Sequence, residues 1–209
     1  MVWISEVVYL KNINLVINIC FIYMLKQILI IARAYPRLVL LASIIMYMYT
    51  QNIDFIFLTL ALAINDTFNG FLKHYMFKPI MGNKKWPILG YGKRPKGAKN
   101  CGIIAQSPPV KAKSYGMPSG HASTALFFST YLIRHLLDSN FKKNVEIIGI
   151  LILSVIGLGI MYSRVYLKCH TIQQVILGGL LGTTFGSMYY NNKDTVSYTH
   201  LTLPTILLV

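Results

Sequence analysis

From Val145 to Ser163 the chain runs for nineteen residues with one charged side chain, Glu146, and no proline. Such a stretch suits a helix that satisfies its own backbone hydrogen bonds while crossing the apolar core of a membrane. Five further windows read the same way, at about 13–32, 35–50, 53–72, 118–137 and 172–190. The first contains Lys26, and the second opens with Pro36, a residue suited to a first helical turn. The chain therefore reads as an all-α, polytopic membrane protein, a bundle of about six transmembrane helices. A single integral-membrane domain is expected over residues 1–195. Composition agrees: 55% of residues are hydrophobic and only 12% charged, with a mean hydropathy of +0.53. These values fall outside the range of ordinary soluble domains. The first residues lack a basic region and a small-residue cleavage site, so no cleavable signal is expected.

The few charges are unevenly placed. Twenty Lys and Arg against six acids give a net charge of +14. Lys73, Lys78, Lys84, Lys85, Lys93, Arg94, Lys96, Lys99, Lys111 and Lys113 all fall in one Gly- and Pro-rich segment of about 40 residues, read as a loop between two helices. In a membrane chain this pattern points to anionic lipid headgroups or a phosphorylated substrate rather than to nucleic acid. The positive-inside rule would place that face in the cytoplasm, but cations that bind substrate inflate the count, so sidedness stays open. The three cysteines, Cys20, Cys101 and Cys169, offer no paired framework and no metal-ligand spacing, and Cys169 reads as a small packing residue. The last fourteen residues, 196–209, follow the polar break Asn191-Asn192-Lys193-Asp194 and resemble a translated adapter sequence. They are expected to be non-native, and His200 is left out of the site.

An antiparallel arrangement of the windows brings four polar points to one membrane face: Lys73 at the end of the third, Pro118 at the start of the fourth, Arg164 at the end of the fifth, and His170 just before the sixth. Their chemistry is consistent. Pro118 is pre-set for a helix start, with Ser119 and Gly120 expected in the first turn, where free N–H groups and the helix dipole favour an anion. His121 is then placed to give a proton to a leaving oxygen. The planar guanidinium of Arg164 suits bidentate contact with phosphate. Gln174 lies four residues beyond His170, on the same helical face. Its carbonyl is placed to accept Nδ1–H and leave Nε2 of His170 as the nucleophile. Asp66, Asn69 and Lys73 recur at helical spacing and are read as one polar stripe climbing toward the site.

Arg94-Pro95, Pro118-Ser119-Gly120-His121 and Ser163-Arg164 with five residues to His170 together resemble the type 2 phosphatidic acid phosphatases. That superfamily also contains vanadium haloperoxidases and bacterial acid phosphatases. The resemblance covers about residues 69–179 and implies a six-helix membrane core. It also implies catalysis by His170 as nucleophile and His121 as general acid. Lys73, Arg94, Ser119, Gly120 and Arg164 would hold the phosphate oxygens. Two positions depart from the family pattern. The family lysine seven residues before the arginine is Pro87 here, so Lys73 takes that role, with Lys85 as the competitor. The family aspartate four residues after the second histidine is Gln174. A neutral amide orients the imidazole without stabilising its charge, so Gln174→Asp is expected to keep activity.

Gln at that position, together with Gly178-Gly179, is similar to the dolichyl-diphosphatase branch. The resemblance thus implies a lipid phosphatase that removes phosphate from a polyprenyl (dolichyl-like) diphosphate through a phosphohistidine. A lipid phosphotransferase and an inactive lipid-binding bundle are the alternatives. The core acids Asp54, Asp66, Asp138 and Glu146 do not cluster in sequence, so no metal and no cofactor are expected.

Overall fold

The computed structural model describes the fold of residues 2–206 and the side-chain surroundings of residues 15–193. Helix α1 spans Val2–Thr50 and α2 spans Asp54–Phe71; α2 continues through a π-helical turn, Leu72–Phe77, into the short α3, Lys78–Met81. A long connection follows, with a two-residue antiparallel pair, β1 (Lys85–Trp86) and β2 (Gly90–Tyr91). Helices α4 (Gly120–Leu137), α5 (Lys143–Tyr166) and α6 (Ile172–Ile206) complete the chain. The expectation for residues 196–209 falls where side chains are not described.

The fold is all-α, but the first two windows are not two helices. Residues 13–32 and 35–50 lie in the single helix α1, with Pro36 inside it. The buried residues explain why the proline does not break it. Ala32, Tyr35, Val39 and Ser43 recur at spacings of three and four straight through Pro36, so one face stays packed. The proline removes one N–H, that toward the Ala32 carbonyl, and leaves the rest of the ladder intact. Among the described residues, three helical stretches are long and apolar enough to cross a membrane: Leu15–Thr50, Asp54–Met81 and Lys143–Tyr166. The chain is an integral, multi-pass membrane protein.

Helix α4 fails that apolar test because it occupies the middle of the bundle. Its buried residues include Ala122, Ser123, Thr124, Ala125, Phe127 and Tyr131. A helix shielded from lipid by its neighbours has room for hydroxyls that would be costly facing hydrocarbon. The outer helix α5 shows the reverse, with Leu151, Ile152, Val155 and Leu158 exposed.

Helices α4 and α6 approach closely along glycines at four-residue spacing. A Cβ on Gly178 would land on the Ser119 carbonyl, one on Gly182 on the Ser123 carbonyl, and one on Gly186 at 2.6 Å from the Phe127 carbonyl oxygen. Small residues at this spacing let two membrane helices touch backbone to backbone. The contact sets the start of α4 beside the start of α6, where the Ser119 N–H donates to the Gln174 carbonyl at 3.0 Å.

Between α2 and α4 the contact is polar. Asn69 Nδ2 donates to Ser123 Oγ at 2.9 Å, and Ser123 Oγ to Asn65 Oδ1 at 2.9 Å. This divides the stripe read from sequence. Asn69 turns inward to α4, whereas Asp66 and Lys73 face a cavity. The side-chain period alone does not distinguish the two sides of a helix enclosed by neighbours.

Gly182→Leu tests the α4–α6 contact. Overpacking against a backbone carbonyl is expected to cost about 1–3 kcal/mol or more. Thermal unfolding in detergent should show a clearly lowered midpoint, whereas an unchanged midpoint contradicts the close approach.

Candidate active site

Each part of the site is held by a chain end or a crossing. Helix α5 stops at Tyr166, and the chain turns through Lys168 at φ 53°. The Cys169 and His170 N–H groups then both bond the Arg164 carbonyl, at 3.0 and 3.2 Å. This tight exit sets His170 two residues before α6 and next to Arg164. Helix α4 begins at Gly120, with Ser119 as its N-cap in an extended conformation. Ser119 is thus outside the first turn, and its N–H is already committed to Gln174. Its hydroxyl caps nothing: Ser119 Oγ is fully buried and has no partner among the described residues.

A cavity of about 610 Å³ opens at this end of the bundle. Lys73, Arg94, Gly120, His121, Arg164 and His170 line it. Asp66 and Thr124 also reach it. Lys73 projects from the π-helical turn, a helix distortion frequent at functional sites. A methyl group on Gly120 would stand 3.7 Å from Lys73 Nζ. Lys85 is exposed on β1 and does not line this cavity. Ser119 and Gln174 sit behind the wall, both wholly buried.

The protonation pattern of His170 follows from its neighbours. Arg94 Nη1 lies 3.0 Å from His170 Nε2, and guanidinium groups only donate. Nε2 must therefore accept, and the ring proton sits on Nδ1. That Nδ1–H donates to Gln174 Oε1 at 3.1 Å. His170 is buried, and burial together with the charges of Arg94, Arg164 and Lys73 holds its pKa well below the ordinary 6.5. The ring is neutral, with its lone pair on Nε2. His121 is fixed differently. Its Nε2 lies 2.9 Å from the Arg33 carbonyl, an atom that can only accept, so in the neutral ring Nε2 carries the proton and Nδ1 the lone pair.

Arg94 is aimed by its loop: Nε donates to the Ser114 carbonyl at 3.0 Å, Nη2 to Ser114 Oγ at 2.7 Å, and Nη1 to the Cys169 carbonyl at 2.9 Å. Arg164 is almost fully buried, with Nη2 donating to the Cys101 carbonyl at 2.9 Å and, among the described residues, no partner for Nε or Nη1. A buried guanidinium with two unpartnered nitrogens is costly unless an anion joins it.

Two features differ from the sequence reading. Cys101 and Cys169 form a disulfide across 68 residues, with Cα atoms 5.6 Å apart. The cysteines therefore do supply a pair; the loop folds back over the α5–α6 turn, a long-range closure that spacing does not encode. The disulfide joins the segments whose carbonyls hold Arg164 and Arg94, so it ties both arginines to one frame. The second difference concerns Gln174. Its amide nitrogen donates to the carbonyls of Tyr91 at 2.8 Å, Lys93 at 2.7 Å and Gly92 at 3.4 Å. Gln174 Oε1 serves His170 and the Thr171 N–H, at 3.1 and 3.3 Å. One side chain thus orients the histidine and clamps the strand leading to Arg94. A carboxylate would keep the first role and oppose three carbonyl oxygens in the second, which reverses the expectation for Gln174→Asp. Ser114, Thr124, Arg33 and Arg37 were also missed. For the two arginines the available signal was an ionisable side chain within an apolar segment.

Gln174→Glu isolates the clamp, because it preserves length and the oxygen facing His170 but removes the donor. It is expected to lower kcat by about ten- to a hundredfold, the range for losing buried hydrogen bonds and gaining an unpaired charge. Activity equal to wild type contradicts a clamping role.

The chain is similar in sequence to several known proteins. No solved structure matches the chain. Dolichyldiphosphatase 1 of Dictyostelium discoideum is 33% identical over 84 residues, 39% of this chain and 37% of that protein. Dolichyldiphosphatase 1 of Rhinolophus ferrumequinum is 26% identical over 163 residues, 74% of this chain and 59% of that protein. Dolichyldiphosphatase of Saccharomyces cerevisiae is 27% identical over 159 residues, 74% and 58% respectively. The chain spans less than two thirds of the length of these curated relatives. The PAP2 superfamily profile matches residues 54–197, more than half of the chain and every cavity residue from Asp66 to His170, and the protein belongs to that superfamily.

Proposed function

We propose that this protein is a membrane lipid phosphatase that removes the terminal phosphate of a polyprenyl diphosphate through a phosphohistidine. The observation that carries the reading is the chain Arg94–His170–Gln174, which leaves an unprotonated Nε2 beside a cavity supplied with unpartnered cationic donors. The names of the relatives support the substrate class.

Nε2 of His170 attacks the terminal phosphorus in line. As it does so, Arg94 Nη1 passes its N–H from Nε2 to a phosphate oxygen. Arg164 Nε and Nη1, with Lys73, neutralise the equatorial oxygens. Charge stabilisation of this kind is the main protein contribution to phosphoryl transfer. Ser119 Oγ, buried without a partner among the described residues and adjacent to Gly120, is the hydroxyl left to donate to a phosphate oxygen. The bond from phosphorus to the bridging oxygen breaks, and its electron pair stays on the departing lipid phosphate. His121 keeps its Nε2–H on the Arg33 carbonyl, and the entry of the polyanionic diphosphate brings a solvent proton onto Nδ1. His121 gives that proton to the leaving oxygen, and the emptied Nδ1 then takes one from the water that hydrolyses the phosphohistidine. No metal is invoked. Among the described residues, no three His, Cys, Asp or Glu side chains stand together to hold one, and cationic side chains supply the neutralising charge.

His170→Ala provides the test, with phosphate release from a polyprenyl diphosphate by detergent-purified protein in excess chelator as the readout. The wild type is expected to turn over under these conditions. The variant should lose several orders of magnitude in kcat, as is usual when a covalent nucleophile is removed. A wild type that releases no phosphate until Mg²⁺ is restored contradicts the metal-free mechanism. A variant within about tenfold of wild type contradicts a covalent role for His170.

A further inference from the structure

The cavity receives more positive charge than one phosphate requires. Besides Lys73, Arg94 and Arg164, it is lined by Arg33 and Arg37 of α1. Among the described residues, five cations thus face one carboxylate, Asp66. Arg33 Nε is buried and has no hydrogen-bond partner among the described residues. Ionisable side chains in a spanning helix are costly unless they are paired or face a polar site, and no acid partners Arg33 among the described residues. Helix α1 also lies outside the segment shared with the superfamily, which begins at residue 54. These two arginines lie outside the residues that the superfamily profile matches.

Their position is specific. The Arg33 backbone carbonyl holds His121 Nε2 at 2.9 Å, so the Arg33 side chain departs from beside the group that meets the leaving oxygen. Past it, Pro36, Leu40 and Leu62 give the same cavity an apolar wall between α1 and α2. Along α1 the lining residues run Arg33, Pro36, Arg37, Leu40, starting beside His121, so the cationic pair lies between that acid and the apolar Leu40. A lipid diphosphate has that order: bridging oxygen, lipid-attached phosphate, hydrocarbon chain.

We propose that Arg33 and Arg37 form a second anion subsite that holds the lipid-attached phosphate of a prenyl diphosphate and makes the cavity selective for diphosphates over monophosphates. The inference rests on the phosphatase reading above and adds the basis of its substrate choice. In the reaction, the leaving lipid monophosphate departs from the terminal phosphorus with the bridging oxygen and its electron pair. The two guanidinium groups neutralise the charge that accumulates there. A lipid monophosphate, once seated at His170, has no group to place between them.

The test compares wild type, Arg33→Ala and Arg37→Ala on a prenyl diphosphate and on the monophosphate of the same prenol. Inorganic pyrophosphate and inorganic phosphate serve as competing inhibitors. The Arg33 substitution keeps the backbone carbonyl that positions His121, and Arg37 is exposed, so neither variant removes a packed core side chain. The ratio of kcat/KM for diphosphate over monophosphate is expected to fall about tenfold or more in each variant, the scale of losing a charge-assisted hydrogen bond. The advantage of pyrophosphate over phosphate as an inhibitor should fall in parallel. An unchanged ratio, or equal losses on both substrates, overturns the second subsite and leaves the phosphatase reading standing. A wild type that turns over neither substrate overturns both.

Discussion

The site depends on one chain of hydrogen bonds, from the Arg94 guanidinium through the His170 ring to the Gln174 amide and on to the backbone at residues 91–93. Because an arginine can only donate, Nε2 of His170 can only accept, and the remaining bonds are then determined. Gln174 must present its oxygen to the ring and its nitrogen to the carbonyls of Tyr91 and Lys93. The loop carrying Arg94 is thereby fastened to the helix start that follows His170. Neither end of the chain can be altered without the other responding, and each buried polar atom within it has a partner.

This explains why a glutamine can stand where the superfamily pattern has a carboxylate. A carboxylate fixes the ring tautomer and stabilises the imidazolium, but it cannot donate. Here burial and three nearby cations keep the ring neutral, and the second requirement is to hold a long cationic loop over the cavity. The disulfide between Cys101 and Cys169 holds the other side of the same loop. Closing so long a segment removes much of the freedom of the unfolded chain, by a few kcal/mol in the chain-entropy account. The arginines then stay in position despite mutual repulsion, a charge excess that an anion in the cavity would relieve.

Much of this was legible in the sequence. The apolar runs specify helices, and the motifs around His121 and His170 name the residues lining the cavity. The four-residue spacing of His170 and Gln174 gives their contact, because it is a local property of a helix start. The parts that escaped are non-local. Nothing near Cys101 marks Cys169, 68 residues away, as its partner. The donor half of Gln174 points to a loop over 80 residues earlier. Pro36 reads as a boundary, yet the buried face of α1 continues through it without a change of phase. Arg33 belongs to the site only because α1 folds across the start of α4, a contact that no local period reveals.

The central claim, that the fixed tautomer makes Nε2 of His170 the attacking atom, is most directly tested by the isomer of the covalent intermediate. Wild-type protein would be mixed with a prenyl diphosphate labelled in its terminal phosphate, quenched in alkali to preserve phosphohistidine, and digested for mass spectrometry and isomer separation. The account predicts label on His170, attached at Nε2. Label at Nδ1, or on His121 instead, would contradict it.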